Sequence, residues 1–140
     1  DFYWHYFPLL VPEIRNNQPV VDQLLSHIEI IFPQDSQTVK VELQTAFLEM
    51  TALLSRPFES EQFQFTHEFI DAIYAKGEEI YQIPEVKRPT QPRGSKHALY
   101  VNRTYFGIYS MMADLNASIE TKSNTWSGKL VDYWKDKIKG

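Results

Sequence analysis

The pattern of hydrophobic positions is helical over most of the chain. Its clearest part is a run of apolar side chains at spacings of three and four, made up of Val39, Leu43, Ala46, Phe47, Met50, Leu53 and Leu54. Asp35 or Ser36 can cap this helix, because a short polar side chain accepts a backbone N–H of the first turn. No alternating run flanked by hairpin turns stands out. The pattern predicts an all-α fold, a single bundle-like domain of five to six helices over residues 1–140.

Other helices are predicted on both sides of this run. Their expected extents are 1–16 with an interruption at Pro8, Asn17 to Pro33, Thr66 to Tyr81 with Thr66 as the cap, Ala98 to Ala117 with Ser95 as the cap, and a last helix from near Ser127. Pro57 to Phe65 is expected to be a loop. Residues 84–96 are rich in proline and basic side chains, so we expect no regular element there.

The stretch from Ala98 to Ala117, ALYVNRTYFGIYSMMADLNA, is apolar around most of a helical circumference. Only a narrow stripe is polar or small, consisting of Arg103, Gly107, Ser110 and Asp114. We therefore expect a largely buried, central helix in which Gly107 lets a neighbouring backbone come close. Arg103 is expected to reach solvent, to bond a carboxylate or to hold the carbonyls of a nearby loop, with ligand contact as the alternative.

Composition and charge narrow the function classes. The chain has no cysteine, which suits a reducing compartment, and we expect a cytoplasmic location. Residues 1–71 carry 3 basic and 11 acidic side chains and residues 72–140 carry 11 and 7, so the two halves hold net charges of -8 and +4. We expect the halves to pack against each other, with an anionic partner at the basic end as the alternative. A nucleic acid partner is not expected, because the whole chain is acidic.

Signatures of catalysis and metal binding are missing from the sequence. There is no glycine-rich phosphate loop and no His-Glu-x-x-His pair, and the histidines stand far apart. The basic segment RGSKH precedes a predicted helix, where backbone N–H groups can hold an anion. Arg93 and Lys96 are therefore candidate contacts for an anion or a phospholipid headgroup at the membrane periphery, with a solvated connector as the alternative. No membrane span is predicted, since the uncharged stretch Thr104 to Ala113 is too short.

One long segment, RPTQPRGSKHALYVNRTYFGIYSMMADLNASI, resembles the C-terminal segment of the UbiB/AarF atypical kinases. That family has a proline-bearing connector, then Leu-x-x-Arg-x-x-x-Gly on a helix, then Leu-x-Ala. The matching positions here are Arg103, Gly107, Leu115 and Ala117. Leu99 stands four positions before the arginine, Tyr100 takes the three-before position, and Asn102 stands where many members have histidine.

The resemblance extends along most of the chain. FLEMTALLSRPFESEQFQF is similar to the family's long C-lobe helix and the loop after it, and LVDYWKDKI to its terminal helix. The start, DFYWHYFPLL, is similar to the segment just after the metal-binding Asp-Phe-Gly motif, although Asp1-Phe2-Tyr3 lacks the glycine. The chain starts without Met or a signal peptide, so we expect an excised segment.

The resemblance implies a larger parent protein that binds ATP and magnesium and acts as a kinase or ATPase in quinone or lipid metabolism, including ubiquinone biosynthesis. The residues for that chemistry would lie upstream, so we carry over no catalytic, cofactor-binding or metal-binding residue to this chain. Its expected partner is the rest of the kinase-like lobe. The aromatic start would pack there, or fold back or self-associate in isolation, through Phe2, Tyr3, Trp4, Tyr6 and Phe7.

Two other interpretations remain open from the sequence. One is an independent all-α module that holds a protein or a lipid in a groove between helices. The other is a small enzyme whose site is assembled from scattered residues.

Overall fold

The computed structural model describes residues 2–94, 96–120, 129, 131–134 and 136; for residues 96–102, 119 and 120 it describes the backbone alone. The fold is mostly helical, which confirms the all-α prediction. In chain order the elements are α1 (Phe2–Tyr6), a 3-10 turn (Phe7–Leu10), α2 (Pro12–Arg15), α3 (Gln18–His27), α4 (Gln37–Glu59), β1 (Gln62–Gln64), α5 (His67–Tyr81), α6 (Pro84–Lys87), α7 (Lys96–Asp114) and β2 (Ser118–Glu120). Residues 129, 131–134 and 136 are also helical.

In the N-terminal third of the chain, the helices are interrupted or begin close to proline residues. The predicted interruption at Pro8 is confirmed, because α1 ends at Tyr6 and the 3-10 turn contains the proline. Helix α3 begins one residue before Pro19, as expected, but it ends at His27, well before Pro33. Glu29 takes a left-handed conformation with φ 61°, and this turns the chain out of the helix.

The long helix α4 starts as predicted and continues further than predicted. The Ser36 hydroxyl accepts the Val39 N–H at 3.2 Å. The loop expected from Pro57 was wrong for its first three residues, since Pro57 lies inside the helix and is buried. The last turn is held by side chains instead: the Glu59 carboxylate accepts from the Ser55 hydroxyl at 2.6 Å and from Arg15 at 2.7 Å. These bonds compensate for the backbone donor that proline lacks.

A short antiparallel pair of strands, not predicted from the sequence, follows α4. Phe63 pairs with Ile119 at the centre of β1 and β2. The predicted helix to Ala117 therefore ends three residues early, at Asp114. Asn116 takes a left-handed conformation with φ 51°, and its backbone and side-chain oxygens both accept from the Gln64 amide at 3.0 Å.

The predicted start of α5 is confirmed, whereas α6 lies in a segment that was expected to lack regular structure. The Thr66 hydroxyl accepts the Phe69 N–H at 3.2 Å, which confirms the predicted cap. The expectation that residues 84–96 lack regular structure was wrong for α6, whose first residue is Pro84. Proline is favoured at that position because its missing N–H would have no helical partner. The other predicted cap, Ser95, and the predicted start near Ser127 lie outside the described residues.

Helix α4 is the central helix of the described structure. One hydrophobic cluster joins α1, α2 and α3 to the first half of α4, and it includes Leu24, Leu43 and Trp134. A second cluster joins α5 and α7 to the other half of α4, and it includes Leu54 and Phe69. Ile83 and Val86 pack against the first cluster, so the connector after α6 lies near it.

Candidate functional site

A buried group of three charged side chains fixes the connector after α6 to the loop between α3 and α4. Arg93 donates to both oxygens of Asp35, from Nη1 at 2.8 Å and Nη2 at 2.6 Å. It also donates to Glu85 Oε1, from Nη2 at 3.1 Å and Nε at 3.2 Å. The side chains of all three residues are largely buried. We call Asp35, Glu85 and Arg93 the buried charge triad.

Backbone and hydroxyl groups complete the bonding of the triad. Arg93 Nη1 also donates to the Ile30 carbonyl at 3.0 Å. The Thr90 N–H and hydroxyl both donate to Glu85 Oε1, at 2.9 and 2.7 Å. An arginine side chain has five N–H donors, and the five bonds of Arg93 match that number. The guanidinium therefore has no free donor.

The surroundings keep both carboxyl groups of the triad ionised at neutral pH. Hydrogen bonds from Arg93 are the main cause that lowers the pKa of Asp35 to about 2. The bond from the Thr90 hydroxyl is the main cause that lowers the pKa of Glu85. With two negative charges and one positive charge, the triad has a net charge of -1.

The triad bears on two expectations from the sequence. Arg93 of the basic half pairs with Asp35 of the acidic half, and Lys76 likewise pairs with Glu49 at 2.8 Å, so the halves do meet through opposite charges. The predicted anion contact at Arg93 would have to displace a carboxylate, because every donor is occupied. The side chain of Lys96, the other predicted contact, lies outside the described residues, so that contact stays a prediction.

A cavity of about 420 Å³ lies beside the triad, between α4, α5 and α6. Most of its wall is apolar and comes from α4 and α5, including Leu43, Phe47, Met50 and Ile80. Its polar wall consists of Tyr6, Thr51, Glu85 and Arg93. Local sequence patterns do not predict this cavity, because its wall comes from segments far apart in the chain.

Over residues 103–114, the part of α7 whose side chains are described, the helix is half exposed, contrary to the expectation of a central, largely buried helix. Tyr109 and Ala113 are buried, and the Tyr109 hydroxyl donates to the Leu54 carbonyl at 2.7 Å. The opposite side is open: Ile108 is 44% exposed, Met111 55% and Leu115 71%. A helix that is apolar on both sides needs a second partner, and the described part of the chain covers only one side.

The residues that carry the family resemblance lie mainly on this open side. Arg103 and Gly107 are exposed, and Met111 continues the same line at a spacing of four. Apart from the neighbouring backbone of α7 itself, no described atom lies within 4 Å of the position that a Cβ on Gly107 would take, so the expected close backbone approach is absent from the described structure. Ala117 lies in the turn after α7, where its carbonyl accepts the Phe65 N–H at 2.9 Å. We call Arg103, Gly107, Ile108 and Met111, together with Leu115 directly after the end of the helix, the outward face of α7.

Arg103 reaches solvent, which is one of the roles expected for it, and no carboxylate or carbonyl partner is found among the described residues. No carboxylate or carbonyl in the described part of the chain accepts a hydrogen bond from its guanidinium. Arg103 instead borders a shallow hollow formed with Met50, Leu54, Ile73 and Phe106.

The aromatic residues at the start of the chain form a cluster that is partly folded back. Tyr6 is 2% exposed and stacks on Phe2 at 5.4 Å between ring centroids. Tyr3, Trp4 and Phe7 remain exposed, although Trp4 packs edge-on against Tyr133 at 4.9 Å. Self-association through these exposed rings stays a prediction.

Two histidine side chains that stand far apart in the sequence meet in the fold. The rings of His5 and His27 stack in parallel at 4.3 Å, although 22 positions separate them. Among the described residues, no three or more His, Cys, Asp or Glu side chains come together in a way that could hold a metal ion.

Nor does any helix in the described ranges have the length and apolar character that crossing a membrane requires.

Comparison with known proteins adds no relative. No family model, no curated protein and no solved structure matches this chain. Its family membership therefore remains a proposal that rests on the residues quoted above.

Proposed function

We propose that this chain is the non-catalytic C-terminal helical part of a UbiB/AarF-like atypical kinase or ATPase. In this proposal it braces the lobe that carries the reacting groups. The observation that supports it most strongly is the outward face of α7, where the residues of the resemblance lie together with uncovered apolar side chains.

Gly107 supplies the first step of the argument. Glycine inside a helix is less favourable than alanine by about 1 kcal/mol, because it loses more backbone freedom on folding. Space around Gly107 is open, so no contact in the described structure needs a glycine there. A glycine at that position is useful if another protein segment packs closely against this side of the helix.

Arg103 and the apolar residues supply the second step. Arginine is an effective partner for carboxylates and loop carbonyls, yet the described residues offer Arg103 none. Ile108, Met111 and Leu115 add apolar surface beside it. An arginine, a glycine and three apolar side chains on one face form a surface suited to packing against further protein, in which Arg103 would find its partner.

The proposal assigns nucleotide chemistry to residues outside this chain. ATP and magnesium would be bound by the remainder of the kinase-like protein, and a role in quinone or lipid metabolism would be a property of that whole protein. We propose a cytoplasmic location for it, with contact at the membrane periphery. For this chain the proposed partner is the remainder of the lobe, and no nucleic acid is involved.

The genomic reading frame upstream of Asp1 tests the proposal. We expect it to encode an Asp-Phe-Gly motif within a few residues of Asp1, preceded by a catalytic aspartate and a nucleotide-binding lysine. A start codon at that point, or an unrelated domain, would contradict the proposal.

A further inference from the structure

We propose that the cavity between α4, α5 and α6 binds a small apolar amine, with the hydrocarbon part against α4 and α5 and the ammonium group beside Glu85. This proposal does not depend on the proposed function, because the cavity is formed within the chain and does not include the outward face of α7.

The size and the wall of the cavity suit a small hydrocarbon body. Its volume of about 420 Å³ falls within the usual range for small-molecule sites. Phe47 and Met50 of α4 and Ile80 of α5 supply apolar surface. Gly77 also lines the cavity, and no atom lies within 4 Å of the place where its Cβ would stand. The room beside Gly77 is therefore available to a ligand.

The charge at the polar end favours a cation over an anion. The buried charge triad has a net charge of -1, and all five N–H groups of Arg93 are already engaged within the chain. An anionic ligand would therefore find no free guanidinium donor. Glu85 accepts its bonds through Oε1, and its Oε2 has no hydrogen-bond partner among the described residues. An ammonium group could donate to that oxygen and balance the excess charge.

Tyr6 adds a neutral polar side chain to the wall of the cavity. It lines the cavity, and only 2% of the residue is exposed. Burial also raises the pKa of Tyr6, so the hydroxyl stays neutral and can accept from an ammonium group.

Three matched probes test the proposal with the 140-residue chain. Cyclohexylmethylamine, cyclohexylmethanol and cyclohexanecarboxylate share one ring and differ in the charge of the attached group. By titration calorimetry at pH 7 we expect saturable 1:1 binding of the amine, at least tenfold weaker binding of the alcohol, and no binding of the carboxylate. Absence of amine binding, or carboxylate or alcohol binding as tight as that of the amine, would overturn the proposal.

Two glycine variants locate the site. Gly77→Leu places a side chain at the cavity, whereas Gly107→Leu places the same side chain in open space on α7. We expect Gly77→Leu to weaken amine binding at least tenfold and Gly107→Leu to leave it unchanged. Equal affinity in these two variants would show that the amine binds elsewhere and would overturn the proposal.

A charge variant covers the case in which Gly77→Leu does not fold. Glu85→Gln keeps the size of the side chain and removes its charge. We expect it to weaken amine binding at least tenfold and to leave the much weaker alcohol binding within threefold. Unchanged amine affinity in folded Glu85→Gln would contradict the role given to the carboxylate.

Discussion

Arg93 donates hydrogen bonds of 2.8 and 2.6 Å to the two carboxylate oxygens of Asp35, which lies 58 residues earlier in the chain. This pair fixes the connector that precedes α7 to the loop that precedes α4. Phe32 adds its ring beneath the guanidinium at 5.3 Å, and the Gly94 N–H donates to the Glu29 carbonyl at 2.8 Å. Two irregular segments are thus held together by charge and hydrogen bonds rather than by a hydrophobic face.

Removing Arg93, the positively charged member of the buried charge triad, should destabilise the fold strongly. Arg93→Ala leaves two buried carboxylates without their counter-charge, and we expect the free energy of unfolding to fall by roughly 3 kcal/mol or more. Arg88→Ala is the matched control, because Arg88 lies in the same connector but is exposed, and its effect should stay within about 0.5 kcal/mol. Urea unfolding measures both. Similar losses in the two variants would show that the triad is not a stabilising centre.

Acid should weaken the same contact. The folded pKa of Asp35, about 2, lies below its ordinary value of 3.8, so the ionised group stabilises the fold. That contribution is complete above about pH 4, where the unfolded chain is also ionised, and it is lost as the pH falls through about 2. We expect the urea midpoint of the wild type to drop over this window, and that of Asp35→Asn to start lower and drop less. Parallel curves for the two proteins from pH 5 to pH 2 would contradict the assignment.

A single buried hydroxyl should contribute to the attachment of α7. The Tyr109 hydroxyl donates to the Leu54 carbonyl of α4 at 2.7 Å. We expect Tyr109→Phe to lower the free energy of unfolding by about 1 kcal/mol, because one buried hydrogen bond is lost. Tyr74→Phe changes an exposed tyrosine and should alter it by less than about 0.5 kcal/mol. If thermal unfolding shows no difference between the two variants, the hydroxyl bond does not help to hold α7.

Hydrophobic spacing and capping residues predicted most of the helices. Ser36 and Thr66 marked helix starts correctly, because capping depends on residues only three positions apart. The strands were missed, since β1 and β2 have three residues each, too few for an alternating pattern. Pro57 was misjudged because side chains distant in sequence, including Arg15, hold the helix turn that contains it.

The candidate site was largely beyond what local patterns can predict. Asp35 was noted only as a helix cap and Glu85 was not singled out, because their common partner Arg93 is brought to them by tertiary structure. The apolar character of α7 was read correctly, but it does not reveal which side of the helix its own chain covers. Exposure of Met111 and Leu115 became visible only in the folded structure.

The central claim is that the outward face of α7 packs against protein outside this chain, and a leucine at Gly107 tests it most directly. In the 140-residue chain no described atom outside the neighbouring backbone of α7 lies near the new side chain, so we expect Gly107→Leu to leave the melting temperature unchanged or to raise it slightly. In the chain extended by its own upstream reading frame, the same change should lower the melting temperature by several degrees, because the leucine would disturb a packed contact. Equal responses in the two proteins would contradict the claim.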